Sequence, residues 1–221
     1  MYICIAGKNE CAINAIKILI KYKIKKKNIC VLPNKTDKGV DTWQPSLKQF
    51  ASKNRFKIVS LKNLYKIKNL IFFSIEYEKI INVNKFKSNE LFNIHFSLLP
   101  KYRGCHTNFL QVYHGEKYSG VTLHKINNGI DEGDVIDQKK FMIKLNDTAY
   151  DNYFKLMKCS VLVFKKNINK IIKSKYSTKK QKLSSGHYYT RGSVDYKKIS
   201  KFNMKKPTLK IHNKIRSLIF P

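Results

Sequence analysis

"YICIAGKNECAINAIKILIKYKIKKKNICVLP", residues Tyr2 to Pro33, decides the fold class. YICIA (Tyr2 to Ala6) and NICVLP (Asn28 to Pro33) are short apolar runs, and CAINAIKILIKYK between them carries its apolar residues at helical spacing. Strand, helix and strand in that order form a crossover unit with parallel strands. The rhythm continues with SLKQFASKN as a helix and with FKIVSL, NLIFFSIEY (Asn69 to Tyr77) and LFNIHF as strands. SGVTLHKI and GDVIDQKKFMI, on either side of the loop Asn127 to Gly133, are close enough to pair as neighbours, which makes the sheet mixed at one side. A long helix follows over Thr148 to Ser174, with Tyr150, Phe154, Met157 and Val161 as its core-facing stripe.

The expected fold class is therefore α/β, a Rossmann-like, mainly parallel but mixed sheet with flanking helices. STKKQKLSSG, rich in Lys and Ser, reads as a linker after the long helix. HYYTRGSVDYKKI and a short helix near Pro207 to Leu218 then form a tail. The expected division is a main domain over residues 1–183 and a tail with short strand and helix over residues 184–221. The apolar close RSLIFP suits a chain that continues, or a contact in a homodimer.

The hydrophobic share of 43%, with 12% aromatics, is that of a globular protein despite a net charge of +31. All but four of the 45 cationic residues are Lys, the exceptions being Arg55, Arg103, Arg191 and Arg216. They are spread through every segment, which argues for compositional drift over a dedicated polyanion groove. A preference for phosphate-bearing substrates survives under either reading. Cys4, Cys11, Cys30, Cys105 and Cys159 are odd in number and lack CxxC pairing, pointing to reduced thiols in a cytoplasmic protein. No apolar run approaches the roughly 20 residues of a membrane span. His106, His114, His124, His187 and His212 have no metal-ligand spacing, so no metal is expected.

Chemistry concentrates in "FNIHFSLLPKYRGCHTNF", Phe92 to Phe109. Asn93 and His95 lie two apart on a strand and share a face, near the carboxyl end where ligands of open α/β sheets bind. By themselves they fit a turn cap and a satisfied core histidine equally well. Asp131, in NNGIDEGD, adds a carboxylate on a loop flanked by Gly129 and Gly133. A carboxylate beside an imidazole fixes its tautomer and raises its basicity, and an Asn amide is a preorganised donor for an oxyanion. The three form an acyl-transfer set without a nucleophilic Ser or Cys, and His124 is read as a structural neighbour.

FNIHFSLLPKYRG and GVTLHKINNGIDEGDVI resemble the two signature blocks of the 10-formyltetrahydrofolate-dependent formyltransferases. The match includes Asn93, His95, Ser97, Leu98, Leu99, Pro100, Gly120, Val121, Thr122, His124, Asp131 and Gly133, and departs at Phe96, where the family often has Pro. The resemblance implies a formyltransferase fold and direct transfer from 10-formyltetrahydrofolate to an amine. Asn93 and His95 would stabilise the tetrahedral intermediate, and His95 with Asp131 would manage the proton. The folate would lie between the strand end Phe73, Ser74, Ile75, Glu76 and Tyr77 and the loop Asn127 to Asp131, with Asn128 and Ile130 among its contacts through backbone groups.

The tail resembles the sugar-nucleotide branch of that family, which acts on dTDP-linked amino-dideoxysugars (such as dTDP-4-amino-4,6-dideoxyglucose) for surface polysaccharides such as the O-antigen of lipopolysaccharide. Methionyl-tRNA and glycinamide ribonucleotide are the alternative acceptors, with tRNA less favoured. A basic nucleic-acid-binding protein without activity is the contrasting class, and whether the sugar amine is at C3 or C4 is open. Lys8 and Asn9, at a helix start that attracts anions, and Lys101 and Arg103 are candidate substrate contacts, each equally readable as turn or solvated face. Trp43, Tyr188 and Tyr189 are candidate base platforms, since stacking is worth about 1–3 kcal/mol per base, or simply pins for a loop.

Overall fold

The computed structural model describes residues 1–201, 203, 205 and 207–220. Residues 202, 204, 206 and 221 of the expected tail lie outside the described residues. In chain order the elements are β1 (Tyr2–Gly7), α1 (Asn9–Lys21), β2 (Ile29–Pro33), α2 (Leu47–Lys53), β3 (Lys57–Ile58), α3 (Leu61–Tyr65), β4 (Leu70–Ile75) and β5 (Glu90–His95). Then come β6 (Arg103–Gly104), α4 (Thr107–Tyr113), β7 (Tyr118–Lys125), β8 (Val135–Met142), α5 (Ala149–Ile172), β9 (Tyr188–Tyr189), α6 (Tyr196–Ile199) and α7 (Thr208–Leu218).

Seven strands form one sheet in the order β3-β2-β1-β4-β5-β7-β8. The first five are parallel, and β7 and β8 are antiparallel, so the sheet is mixed at one side as the sequence implied. The central parallel strands β1, β2 and β4 are almost wholly apolar because helices and loops cover both faces. On one face α1, α2 and α5 bury Ile16, Leu19, Leu47, Leu156 and Phe164 against Ile5, Phe73 and Phe92. The other face is closed by a thinner layer around Leu64, Phe72, Ile81 and Phe86.

Local chemistry sets the element ends. A capping box between Thr148 and Asp151 starts α5, satisfying donors that a helix start otherwise leaves open. A second box, Ser60 with Asn63, starts α3 and cuts the expected strand FKIVSL down to two paired residues. The helix α4 escapes a reading by periodicity because it is seven residues long, under two turns. No helix among the described residues is long and apolar enough to cross a membrane.

The segment expected to be a linker does not hang free. Lys179 and Val135 exchange two backbone hydrogen bonds of 2.8 Å, and farther on β9 pairs in parallel with β6. Around that pairing Tyr102, Phe109, Leu110 and Val194 make a small core of their own.

Candidate active site

The chain crosses from β5 into a loop whose backbone is held by buried side chains. Thr122 Oγ1 donates to Ser97 O at 2.6 Å and accepts from Leu99 N–H at 3.0 Å, and Gln111 donates to Phe96 O at 2.9 Å. Gln138 completes the support by donating to Leu99 O and to Thr122 Oγ1. A loop fixed at that many points presents the end of β5 rigidly, as a preorganised site requires.

Asn93 and His95 do share a face, and Asp131 comes to them from the loop between β7 and β8. His95 Nδ1 lies 3.4 Å from Asp131 Oδ2, and its Nε2 lies 2.7 Å from the carbonyl of Tyr102. Both ring nitrogens thus face oxygens that can only accept, so the ring can hold a second proton without leaving an N–H unpaired. Asn93 Nδ2 donates to Asp131 Oδ1 at 3.1 Å and lies 3.2 Å from His124 Nε2. His124 Nδ1 faces the carbonyl of Lys125 at 2.7 Å, which in the neutral ring puts the proton on Nδ1 and leaves Nε2 to accept, while in the charged ring Nε2 carries a proton toward Asp131.

Asp131 is the hub. Besides Asn93 and His95 it receives the backbone N–H of Gly104 at 2.8 Å, and His124 Nε2 stands 3.6 Å away. Burial pushes its carboxyl up, but the His95 ring, the hydrogen bond and charge of His124 and the Gly104 N–H outweigh burial and hold it well below the ordinary carboxylate range. Two glycines make this geometry possible. A Cβ on Gly104, at φ +89°, would overlap the carbonyl of Tyr189, and one on Gly133 would overlap the carbonyl of Lys125.

A cleft of about 860 Å³ opens above this group. It is lined by Ser74, Asn93, His95 and Asp131, by Tyr77, Ile80 and Ile81 after β4, and by Asn127, Gly129 and Ile130 from the loop between β7 and β8. Lys8, Lys79 and Arg191 bring cations to the lining, alongside Tyr188. Of the residues expected at the folate, Ser74, Glu76, Tyr77 and Ile130 line the cleft. Phe73 and Ile75 are fully buried in the sheet, where only their backbone could meet a ligand, and Asn128 is exposed outside the lining.

The expected substrate contacts divide. Lys8 and Tyr188 line the cleft. Asn9 does not: it is buried, its amide donating to Glu76 and, at 2.8 Å, to Tyr153 Oη. Trp43 packs instead against Tyr150, Tyr153, Phe154 and Phe220, on an aromatic corner away from the lining residues. Lys101 faces Glu116 at 3.8 Å beside a separate cavity of about 360 Å³, and Arg103 pairs with Glu132. Tyr189 stacks on Tyr102, ring centroids 5.7 Å apart. In each case a nearer partner, aromatic or acidic, captures the side chain.

Arg191, one of only four Arg in a Lys-rich chain, also lines the cleft and was not singled out by the sequence reading. Among the described residues no group of three His, Cys, Asp or Glu side chains is placed to hold a metal ion.

Residues 1–166 match the family model described as formyl transferase. The chain belongs to the formyl transferase family. It is similar over its full length to an N-formyltransferase from Helicobacter canadensis, solved in complex with folinic acid and dTDP-3-aminofucose. The two share 46% identity at a TM-score of 0.96, with 81% of that chain covered. WlaRD, a sugar 3N-formyl transferase solved in the presence of dTDP and 5-N-formyl-THF, is 47% identical with a TM-score of 0.96 and 80% covered. The bifunctional polymyxin resistance protein ArnA of Wigglesworthia glossinidia brevipalpis is 38% identical over 128 residues, or 57% of this chain. That match spans 20% of ArnA's own length.

Proposed function

We propose that this formyl transferase moves the formyl group of 10-formyltetrahydrofolate to the 3-amino group of a dTDP-linked amino-dideoxysugar. The observation that carries this reading is the assembled Asn93, His95 and Asp131 group in a chain that matches, end to end, an N-formyltransferase crystallised with folinic acid and dTDP-3-aminofucose. The C3 position is favoured because WlaRD, the other structure of comparable identity, is also a 3N-enzyme.

The slot between Tyr77, Ile80 and Ile81 and the Asn127–Ile130 loop suits the flat folate head. Lys8 and Arg191 suit a diphosphate and Tyr188 a base, which leaves the sugar amine above Asn93. The amine nitrogen attacks the formyl carbon, and the carbonyl oxygen takes up negative charge beside the Asn93 amide and the His95 ring. As the bond from that carbon to N10 of the folate breaks, the amine loses one proton and N10 gains one. His95, steadied by Asp131 at Nδ1, is the carrier between them once its Nε2 exchanges the Tyr102 carbonyl for the reacting atoms.

In this reading residues 1–183 are the catalytic unit, and residues 184–221 add substrate contacts and a homodimer surface. Exposed Ile219 and Phe220 beside Trp43 support that surface. Five free thiols fit a reducing compartment such as the cytoplasm, and the formamido sugar would serve surface polysaccharide synthesis. The test is formyl transfer to a panel of dTDP-3-amino and dTDP-4-amino dideoxysugars, glycinamide ribonucleotide and methionyl-tRNA. Turnover on the 3-amino sugars is expected. Turnover confined to any other acceptor, or none at all, overturns the assignment.

A further inference from the structure

The segment after α5 lies along the loop that carries Asp131. Tyr176 Oη donates to both carboxylate oxygens of Glu90, at 3.0 and 2.8 Å, anchoring the segment's start. Lys179 then pairs with Val135. Two residues on, Gln181 Nε2 donates to the carbonyl of Asp131 at 2.9 Å and to the carbonyl of Gly133 at 2.7 Å. One amide nitrogen has two hydrogens, so the side chain is fully used as a bracket across the two carbonyls that flank Glu132.

The bracket sits where the backbone needs one. Asp131 has φ +56°, a left-handed conformation that a residue with a Cβ holds only when its surroundings fix it. That conformation aims the carboxylate at His95, Asn93 and the Gly104 N–H. Gln181 Oε1 is buried without a partner, so the residue gains nothing there from its acceptor end. A buried amide retained for its two hydrogens alone is doing one job, to hold the Asp131 loop.

We propose that Gln181 is a positioning residue for formyl transfer, clamping the loop so that the Asp131 carboxylate stays between His95 and Asn93. The proposal rests on the functional reading above for the identity of the reaction, but not for the clamp. Gln181→Met keeps the length and loses the donors. Gln181→Glu keeps the shape and turns oxygens toward both carbonyls. Lys180→Ala, an exposed neighbour on the same segment, is the control.

With kcat and KM measured separately, Gln181→Met is expected to lose roughly 10- to 100-fold in kcat, since misplacing a reacting group by about 1 Å costs that much. Gln181→Glu is expected to lose more, and KM for folate and for sugar to stay within about twofold in both. The ¹⁵N shifts of the His95 ring, read without substrate, are expected to move in both variants and not in Lys180→Ala. Wild-type kcat with unmoved His95 shifts in Gln181→Met and Gln181→Glu overturns the clamp. If the wild-type chain transfers formyl to no acceptor, the functional reading fails while the ring shifts still decide the clamp.

Discussion

The amide nitrogen of Asn93 and the Nε2 of His124 face each other at 3.2 Å across the antiparallel pair β5 and β7, where the two residues stand in register. The other hydrogen goes to Asp131 at 3.1 Å, so the plane of the amide is fixed, and a formyl oxygen would draw one of the two hydrogens out of these long contacts. His124→Ala frees that plane. It is expected to lower kcat roughly tenfold with KM nearly unchanged, and His124→Gln, which restores an acceptor, to recover part of the loss. Steady-state kinetics on the three proteins checks this.

Removing the donor itself should be more severe. Asn93→Ala is expected to cost on the order of 10²–10³ in kcat, as loss of an oxyanion donor does. A rate within a factor of three of wild type would remove Asn93 from the transition state.

Asp131 ties the site to acid stability. Its carboxyl is held low in the folded protein, because the His95 ring, His124 and the Gly104 N–H outweigh the opposing effect of burial. The ionised form therefore stabilises the fold fully above the ordinary carboxylate range of about pH 4, and that stability drains away as pH falls from there toward the lowered value. Urea unfolding from pH 7 down to pH 2 is expected to show wild type and Asp131→Asn converging only in acid.

Gly104→Ala strikes two contacts at once. The added Cβ overlaps the Tyr189 carbonyl, which unseats β9, and the displaced backbone withdraws the N–H from Asp131. The expected result is a loss of at least about tenfold in kcat, together with faster amide exchange at Cys105, whose N–H bonds Tyr189 O at 2.8 Å.

Trp43 and Arg191 separate fold from binding. Trp43→Ala is expected to cost about 1–2 kcal/mol through its aromatic neighbours, with KM for the nucleotide-sugar unchanged. Arg191→Ala is expected to leave thermal stability within a degree or two and raise that KM about tenfold, the worth of a charged hydrogen bond. Melting curves and kinetics on the two variants distinguish the roles.

The sheet was legible in the sequence because its central parallel strands are apolar runs. The long helix was legible as a helix but not in its face, since the core takes Tyr153, Leu156, Met157, Val163 and Phe164, while Tyr150 of the expected stripe is exposed and Phe154 and Val161 are only partly buried. Asn93, His95 and Asp131 were legible because strand alternation fixes a face and glycines mark the loop. Trp43 and Asn9 fall outside the cleft lining, and polar surroundings in sequence do not reveal an aromatic corner or a half-buried carboxylate supplied by distant residues. Gln181 was hidden in a Lys- and Ser-rich stretch whose composition is that of a linker, and only the facing carbonyls of Asp131 and Gly133 give it meaning. Arg offered a signal that went unused. Arg216 is buried and forked, its Nε bonding Asn213 and its Nη1 the carbonyl of Asp147, a setting in which Lys is a poor substitute; Arg103 pairs with Glu132, and Arg191 lines the cleft.

The pairing of β6 with β9 brings together parts of the chain that lie far apart, as does the neighbouring bond from His106 to the carbonyl of Arg191, 85 residues away. All seven strands of the main sheet are complete by Met142, well before the residues that close over Asp131. The expected order of assembly is therefore sheet and long helices first and the β6–β9 closure after them, a sequence that refolding kinetics can check. During refolding, catalytic turnover is expected to return later than the far-ultraviolet dichroism of the sheet and helices. A nascent chain is expected to pass through a folded but inert stage until the segment carrying β9 docks.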